Sequence, residues 1–301
     1  MRIGVAATPD VALPTLNALL ASSHEIALVI SQPDRAAGRG QEVRSSPVST
    51  WAINHKIKLI RPVSPEELVG VIEDLDCIVT IGYGVLLPEA ILRLPRYGFI
   101  NLHFSLLPAY RGAAPVQRAL ENGELITGVT VFALDKGMDT GPVYCSSTIS
   151  IDPTWRAKEL FNELAVIAPD VVEAALKEIS LGQSPTPQIG QASQAPKISK
   201  EEAKIDWKQS ADIVVRRIRA FYPAPIAWST WKGDGFRVTD ARIHSPTVPP
   251  GKISVVDGFV TVGCGDNSAI TLLSVIPSGK KEMPAIDWAR GAHLETGSHF
   301  G

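Results

Sequence analysis

Two polar side chains near the middle of the chain, Asn101 and His103, have the types and spacing needed for acyl-group chemistry. They follow the apolar run Gly98-Phe99-Ile100, which is typical of the end of a strand. Successive strand side chains point to opposite faces, so Asn101 and His103 would share one face and Leu102 would occupy the other. An acidic residue, Asp139, follows further along in a Gly-rich segment. An amide, an imidazole and a carboxylate near one strand end suggest transfer of an acyl group.

These three groups could stabilise a tetrahedral intermediate. When a nucleophile attacks a carbonyl, negative charge develops on its oxygen, and one preorganised donor there is worth about 3–4 kcal/mol. Asn101 has an amide N–H and His103 a ring N–H for that oxygen. Asp139 could fix the tautomer of His103 and stabilise its charged form, or accept a proton from an attacking amine. Ser105 is not in a Gly-x-Ser-x-Gly turn, so a covalent acyl-enzyme is not indicated.

Taken singly, each of these residues also has a common structural explanation. A histidine at a strand end is often structural, and an isolated asparagine often belongs to a turn or a cap. Asp139, followed by Thr140 and Gly141, could form an Asx turn. The functional interpretation therefore depends on the pattern in which the three residues occur.

The elements that must position these residues alternate between strand-like and helix-like segments in the first half of the chain. Alternation of this kind predicts an α/β fold with a doubly wound, mostly parallel, Rossmann-like sheet. Such sheets bind ligands at the carboxyl ends of their strands, which is where Asn101 and His103 would lie. The first turn lacks Gly-x-Gly-x-x-Gly, which argues against a nicotinamide-dependent oxidoreductase. The strand-like runs are 2–7, 25–31, 57–60, 77–81, 99–102 and 129–134, and the helical stretches are 11–20, 65–72, 88–92 and 156–179.

A change of composition marks the end of this first domain. Residues 181–196 are rich in Gly, Ser, Gln and Pro without periodicity, which is typical of a linker. Beyond them a helical stretch, 211–221, precedes several short strand-like runs between prolines, which suggests a smaller β-barrel of the OB type. We therefore expect a catalytic domain over 1–180, a linker over 181–198 and a C-terminal domain over 199–301.

Composition is that of an ordinary globular protein, with 301 residues, 45% hydrophobic and 20% charged. No apolar run approaches the ~18 residues that span a bilayer, and Pro9 and Asp10 interrupt any signal-peptide pattern, so a cytoplasmic location is expected. The three cysteines lack metal-ligand spacing and are odd in number, so neither zinc nor a disulfide framework is indicated.

Residues 197–301 carry 14 Lys and Arg against 11 Asp and Glu, while residues 1–196 carry 15 against 20. This mild excess of positive charge favours contact with a polyanion only slightly.

The stretch 101–117, together with Gly137-Met138-Asp139-Thr140-Gly141, resembles the signature of the folate-dependent formyltransferases. Segments 8–10, 32–40, 83–88, 199–207 and 219–223 extend the resemblance to the members of that family that act on tRNA. The resemblance implies transfer of a formyl group from 10-formyltetrahydrofolate to the α-amine of initiator methionyl-tRNA, for translation initiation. It implies that Asn101, His103 and Asp139 are catalytic. No metal is required, because the donor is already an activated formamide, and a monomer is the expected state.

The resemblance also implies which residues bind the two substrates. The implied folate-binding residues are Tyr83, Gly84, Val85, Leu86, Ser105, Leu106, Leu107 and Pro108. The implied tRNA-binding residues are Arg39, in a glycine-rich loop, and Lys204, Lys208, Arg216 and Arg219. By composition alone, each of these charges could equally belong to a solvated face. The chain departs from the family at Ala36, Gln41 and Glu42, which make the loop less basic, and at Phe104, where a small residue is common.

Two other functions fit part of the pattern. A small-molecule formyltransferase acting on a sugar amine or a purine precursor would explain Asn101, His103 and Asp139, but not the loop at 32–40 or the C-terminal domain. A non-catalytic RNA-binding protein on the same scaffold would not explain why all three catalytic residues are present.

Overall fold

Seven α-helices and fifteen strands form the part of the chain that the computed structural model describes, residues 1–37, 42–244 and 248–301. The chain divides into two units, each of which collects segments that are separate in sequence. The first unit comprises Met1–Pro115, Ile126–Ser150 and Phe161–Pro196. The second comprises Val116–Leu125, Ile151–Leu160 and Lys197–Gly301.

The elements up to residue 180 alternate between strands and helices over most of their length, as predicted. They are β1 (Arg2–Ala7), α1 (Leu13–Ala21), β2 (Glu25–Ile30), β3 (Arg35–Ala37), β4 (Glu42–Arg44), α2 (Pro47–Asn54), β5 (Leu59–Ile60), β6 (Cys77–Ile81), α3 (Glu89–Leu92), β7 (Phe99–His103), α4 (Pro115–Asn122), β8 (Ile126–Ala133), β9 (Val143–Ser150) and α5 (Ala157–Ser180). Two short 3₁₀ segments, Asp10–Ala12 and Pro65–Leu68, precede α1 and β6.

A seven-stranded sheet forms the centre of the first unit, in the order β5-β2-β1-β6-β7-β8-β9. The first five strands pair in parallel, and β8 and β9 extend the sheet antiparallel. Because parallel strands are covered on both faces, β1 and β6 are almost continuously apolar, and Ile3, Val5, Ile78 and Val79 are fully buried. The predicted α/β class, with a doubly wound and mostly parallel sheet, is confirmed.

The stretch after α5, for which we expected a linker, is hydrogen-bonded to the first unit over part of its length. Thr186 bridges to Val143 of β9, and Gln194 bridges to Arg111. Next to that bridge Gly112 has φ 123°, and a Cβ at this position would lie 2.8 Å from the Ala195 carbonyl oxygen. The close approach of the two backbones therefore requires glycine at position 112.

The second unit contains α6 (Ala211–Ala220), β10 (Ala227–Trp231), β11 (Asp234–His244), β12 (Ile253–Val256), β13 (Phe259–Gly263), β14 (Ala269–Pro277), β15 (Met283–Pro284) and α7 (Ala285–Ala292). Its strands form an antiparallel sheet in the order β10-β11-β14-β13-β12, with β15 beside β14. Five aromatic side chains pack together in this unit, with ring centroids 4.6–6.0 Å apart: Trp207, Trp231, Phe236, Trp288 and Phe300. A smaller, antiparallel C-terminal domain is therefore confirmed.

Helix α4 is joined to the remainder of the second unit by a network of four charged side chains. Arg118 forms a bidentate pair with Glu202, at 2.5 and 3.1 Å, and also contacts Glu121 at 2.7 Å. Arg217 lies 3.1 Å from Glu121. The hydrogen bonds to Arg118 lower the pKa of Glu202, and those to Glu202 raise the pKa of Arg118. Planar, bidentate pairing of this kind fixes geometry as well as charge.

Candidate active site

The fold brings the three predicted catalytic residues to one place in the first unit. Asn101 and His103 lie at the end of β7, and Asp139 lies in the loop between β8 and β9. His103 Nδ1 is 3.7 Å from Asp139 Oδ2. The imidazole is 6% exposed, so its interaction with the carboxylate is screened less than a surface pair would be.

Hydrogen bonding determines which nitrogen of His103 carries a proton. Nε2 lies 2.8 Å from the backbone carbonyl oxygen of Tyr110. A carbonyl oxygen only accepts, so Nε2–H is the donor, and in the neutral imidazole the lone pair is on Nδ1, towards Asp139. Burial lowers the pKa of His103, and both the Asp139 charge and the Tyr110 carbonyl act in the opposite direction. The neutral imidazole is therefore favoured, with Nδ1 available to accept a proton.

Asp139 is held by its own loop and by two other parts of the first unit. Its backbone has φ 54°, a left-handed conformation that Asp tolerates better than most residues. Its Oδ2 accepts a hydrogen bond of 2.8 Å from the backbone N–H of Gly112. Gln188 Nε2 donates to the carbonyl oxygens of Asp139 and Gly141, at 2.9 and 2.8 Å. Arg111 Nη2 donates in turn to Gln188 Oε1 at 2.6 Å.

Gln188 was not among the predicted site residues. It lies 49 residues beyond Asp139, in the segment expected to be a linker, and no local motif identifies it. All four hydrogen-bonding positions of its amide are engaged, because Oε1 accepts from Nε and Nη2 of Arg111 and Nε2 donates twice. Gln188 therefore ties the Asp139 loop to the segment that follows His103.

Asn101 is half-buried, and its amide oxygen is already occupied. Thr80 Oγ1, on the neighbouring strand β6, donates to Asn101 Oδ1 at 2.8 Å. What Asn101 can still offer a ligand is its NH₂ group, with two donors. An amide held in this way suits stabilisation of a developing oxyanion.

The predicted folate-binding segment 105–108 is a tightly tied loop after β7. Ser105 is fully buried, and its hydroxyl donates to the Ala109 carbonyl at 2.6 Å. Thr130 Oγ1 donates to the Ser105 carbonyl and accepts from the Leu107 N–H, at 2.7 and 3.1 Å. The side chains of Leu106 and Leu107 are half-buried, and Pro108 follows a cis peptide bond.

The second predicted folate-binding segment, Tyr83 to Leu86, follows β6. Tyr83 is buried, which raises the pKa of its hydroxyl, and its carbonyl accepts from Gln32 Nε2 at 2.6 Å. Val85 and Leu86 are exposed, Leu86 by 72%. Since β6 and β7 are parallel neighbours, both predicted segments leave the sheet at the edge where Asn101 and His103 lie. Apolar side chains with a few placed polar groups are typical of small-molecule sites.

The predicted tRNA-binding residues differ in what they contact. Lys204 and Lys208 are exposed. Arg216 pairs with Asp212 and donates to a backbone carbonyl at 3.0 Å. Arg219 donates to the carbonyls of Trp155 and Asp152, at 2.7 and 3.2 Å, and burial lowers its pKa. Arg39 lies outside the described residues.

The described residues contain no group of three or more His, Cys, Asp or Glu side chains arranged to hold a metal ion. Within the same residues, no helix is long and apolar enough to cross a membrane. All three cysteines are free thiols; Cys77 and Cys264 are buried, and burial raises the pKa of each to about 12.

The chain is similar to known proteins along almost its whole length. Residues 1–176 match the family model described as formyl transferase, and residues 197–293 match the one described as formyl transferase, C-terminal domain. A methionyl-tRNA formyltransferase of Salinispora tropica is 40% identical over 306 residues, covering 99% of both chains. One of Mycobacteroides abscessus is 42% identical over 306 residues, with the same coverage.

Solved structures share the fold at lower identity. A methionyl-tRNA formyltransferase from Clostridium thermocellum has a TM-score of 0.58 at 16% identity, covering 81% of this chain and 94% of that one. HypX from Aquifex aeolicus in complex with tetrahydrofolic acid has a TM-score of 0.67 at 20% identity, covering 97% of this chain and 47% of that one.

Proposed function

The chain belongs to the methionyl-tRNA formyltransferase family, and we propose that Asn101, His103 and Asp139 transfer a formyl group from 10-formyltetrahydrofolate to the α-amine of initiator methionyl-tRNA. The observation that carries the proposal is the geometry of His103. Its Nε2–H is committed to the Tyr110 carbonyl, which leaves Nδ1 as the free base, 3.7 Å from Asp139. This arrangement supports removal of a proton from an attacking amine.

The reaction follows from these groups in two steps. The amine nitrogen attacks the formyl carbon, a C–N bond forms, and negative charge moves to the formyl oxygen. Asn101 Nδ2–H donates to that oxygen. The surplus amine proton passes towards Nδ1 of His103 or the Asp139 carboxylate. The bond from the formyl carbon to N10 of the folate then breaks, and N10 takes up a proton.

This assignment changes the role that His103 had in the sequence interpretation. Because Nε2–H is bonded to the Tyr110 carbonyl, a ring N–H for the oxyanion would have to come from Nδ1. Nδ1 carries a hydrogen as well only when the imidazole is protonated. Burial disfavours that form by lowering the pKa. We therefore assign oxyanion stabilisation to Asn101, and proton transfer to His103 with Asp139.

We propose that the exposed Val85 and Leu86, with the loop at 105–108, hold the folate ring system. Lys204 and Lys208, exposed in the second unit, are the proposed contacts to the tRNA backbone. Arg216 and Arg219 are tied to carboxylate or carbonyl groups within the second unit, so in this proposal they support its fold. The proposal also gives the first unit the catalytic role and the second unit the tRNA-binding role. It includes action as a monomer and a cytoplasmic location.

A formyl-transfer assay with variants of the three residues tests the proposal. Asn101→Ala should lower kcat by about 10²–10³-fold, as removal of an oxyanion donor does elsewhere. His103→Ala and Asp139→Asn should lower kcat by about 10²–10⁴-fold. Matched controls are His55→Ala and Asp74→Asn, both at exposed positions. Wild-type activity in His103→Ala would refute the assigned chemistry.

The acceptor is tested separately by comparing methionyl-tRNA with free amines, including a sugar amine. Transfer should depend on the tRNA body as well as the α-amine. Equal kcat/KM for a free amine would favour the small-molecule alternative and would leave the catalytic residues in place.

A further inference from the structure

Thr80 lies beside Asn101 on the neighbouring strand of the sheet. β6 and β7 run in parallel, with Thr80 paired to Asn101 in register. Paired residues on adjacent strands present their side chains on the same face. The Thr80 hydroxyl has a single hydrogen to donate, and its oxygen lies 2.8 Å from Asn101 Oδ1 and 3.0 Å from the Ile100 carbonyl oxygen, so the shorter contact is to Asn101.

Donation along the shorter contact, to Oδ1, selects which end of the Asn101 amide is available. The two ends of an asparagine amide have nearly the same shape but opposite polarity, so packing alone selects weakly between them. A hydroxyl that donates to Oδ1 holds the oxygen against β6 and leaves the NH₂ group free. The opposite orientation would present an oxygen lone pair to the reacting carbonyl, where it would repel the developing charge.

Burial makes this contact hard to replace. Thr80 is 4% exposed, so water has little access to substitute for the hydroxyl. Without it, Oδ1 would lose its donor in a half-buried site, and the amide could rotate.

We propose that Thr80 is a positioning residue for formyl transfer, whose hydroxyl keeps the Asn101 amide turned with its N–H groups towards the formyl oxygen. The inference rests on the proposed catalytic role of Asn101. It predicts that the Thr80 hydroxyl matters for turnover and matters only while Asn101 is present.

The test is a double-mutant cycle in the full chain, assayed with methionyl-tRNA and 10-formyltetrahydrofolate. Thr80→Val keeps the side-chain shape and removes the hydroxyl, and it should lower kcat about tenfold while both KM values change by less than about twofold. Thr80→Ser keeps the hydroxyl and should retain kcat within about threefold. In the Asn101→Ala background, Thr80→Val should cause no further loss.

Thr15→Val is the matched control, because Thr15 is also fully buried and its hydroxyl has no hydrogen-bond partner among the described residues. Thr15→Val should leave kcat unchanged. Its melting temperature gives the effect on stability of removing a buried hydroxyl. If Thr80→Val melts well below it, kcat is compared at a temperature at which every variant of the cycle is fully folded.

The outcomes separate the two proposals. Wild-type kcat in Asn101→Ala would overturn the role of Asn101 and this inference with it. A normal kcat in Thr80→Val, or the same loss with and without Asn101, would overturn the inference for Thr80 alone.

Discussion

Replacing Gln188 with glutamate should damage the site more than truncating it to alanine. The Gln188 amide donates both hydrogens, to the carbonyls of Asp139 and Gly141, and so fixes the loop that carries the carboxylate. At about 1 kcal/mol for each lost hydrogen bond, Gln188→Ala should lower kcat/KM about 30-fold if the whole loss appears as misplacement of Asp139. Glutamate keeps the contact with Arg111 through one oxygen but sets its other, anionic oxygen against two carbonyl oxygens, which adds about 1 kcal/mol to the cost at Asp139 and brings the loss to about 100-fold or more.

The assay compares kcat/KM for methionyl-tRNA at neutral pH in wild type, Gln188→Ala and Gln188→Glu, with melting temperatures measured in parallel. Gln183→Glu is the control, because it makes the same change at an exposed position five residues earlier. If the glutamate variant is as active as the alanine variant, the donors of Gln188 do not determine the position of Asp139. If both match wild type, the reasoning about this contact is wrong.

Four further outcomes follow from the structure. Asp139→Asn removes the charge that raises the pKa of His103, so an NMR titration should place this pKa below the ordinary 6.5 in wild type and lower still in the variant, and an upward shift would contradict the assignment. Since the pKa of His103 is lowered in the folded wild-type protein, the unfolded chain binds a proton at this histidine at a higher pH than the folded protein does. The free energy of unfolding should therefore decrease as pH falls through about 6.5, which chemical denaturation at several pH values can measure. Gly112→Ala should lower the melting temperature by several degrees and reduce activity, since the new methyl group would lie 2.8 Å from a backbone oxygen at φ 123°; an unchanged melting curve would refute that clash. Arg219→Ala should lower the free energy of unfolding by about 1–2 kcal/mol without changing the salt dependence of tRNA binding. Lys204→Ala should instead reduce the slope of log affinity against log salt concentration by about one. The reverse pattern would exchange the roles of the two residues.

The contacts around Asp139 show how far the sequence alone could lead. Asn101 and His103 were placed on one face because strand periodicity is local, and Asp139 was a candidate partner by residue type, with the family resemblance joining it to the other two. Nothing local could reveal that Gln188 holds Asp139, because an isolated glutamine in a segment without periodicity has no distinguishing pattern. Thr80 was missed for a related reason: a threonine within an apolar strand resembles any other strand residue until its neighbour across the sheet is known.

One secondary-structure expectation was wrong, and one strand of the central sheet was missed. The helix expected over 65–72 is only the 3₁₀ segment Pro65–Leu68, because Val69 leaves helical geometry with ψ 135° and Gly70 has φ 77°. Strand β9 was not predicted, since an edge strand with alternating exposure has no continuous apolar run. The fold class was predictable nonetheless, because the central parallel strands are buried on both faces and stand out as apolar runs.

The composition of the second unit has a consequence for synthesis on the ribosome. The segments Val116–Leu125 and Ile151–Leu160 emerge early, but their partners in that unit lie beyond residue 196. Arg118, for example, cannot meet Glu202 until 84 more residues have been translated, and the contact between Glu121 and Arg217 forms later still. The second unit therefore cannot complete its fold until its later part has left the exit tunnel, and during that interval its first two segments lack their native partners within the unit.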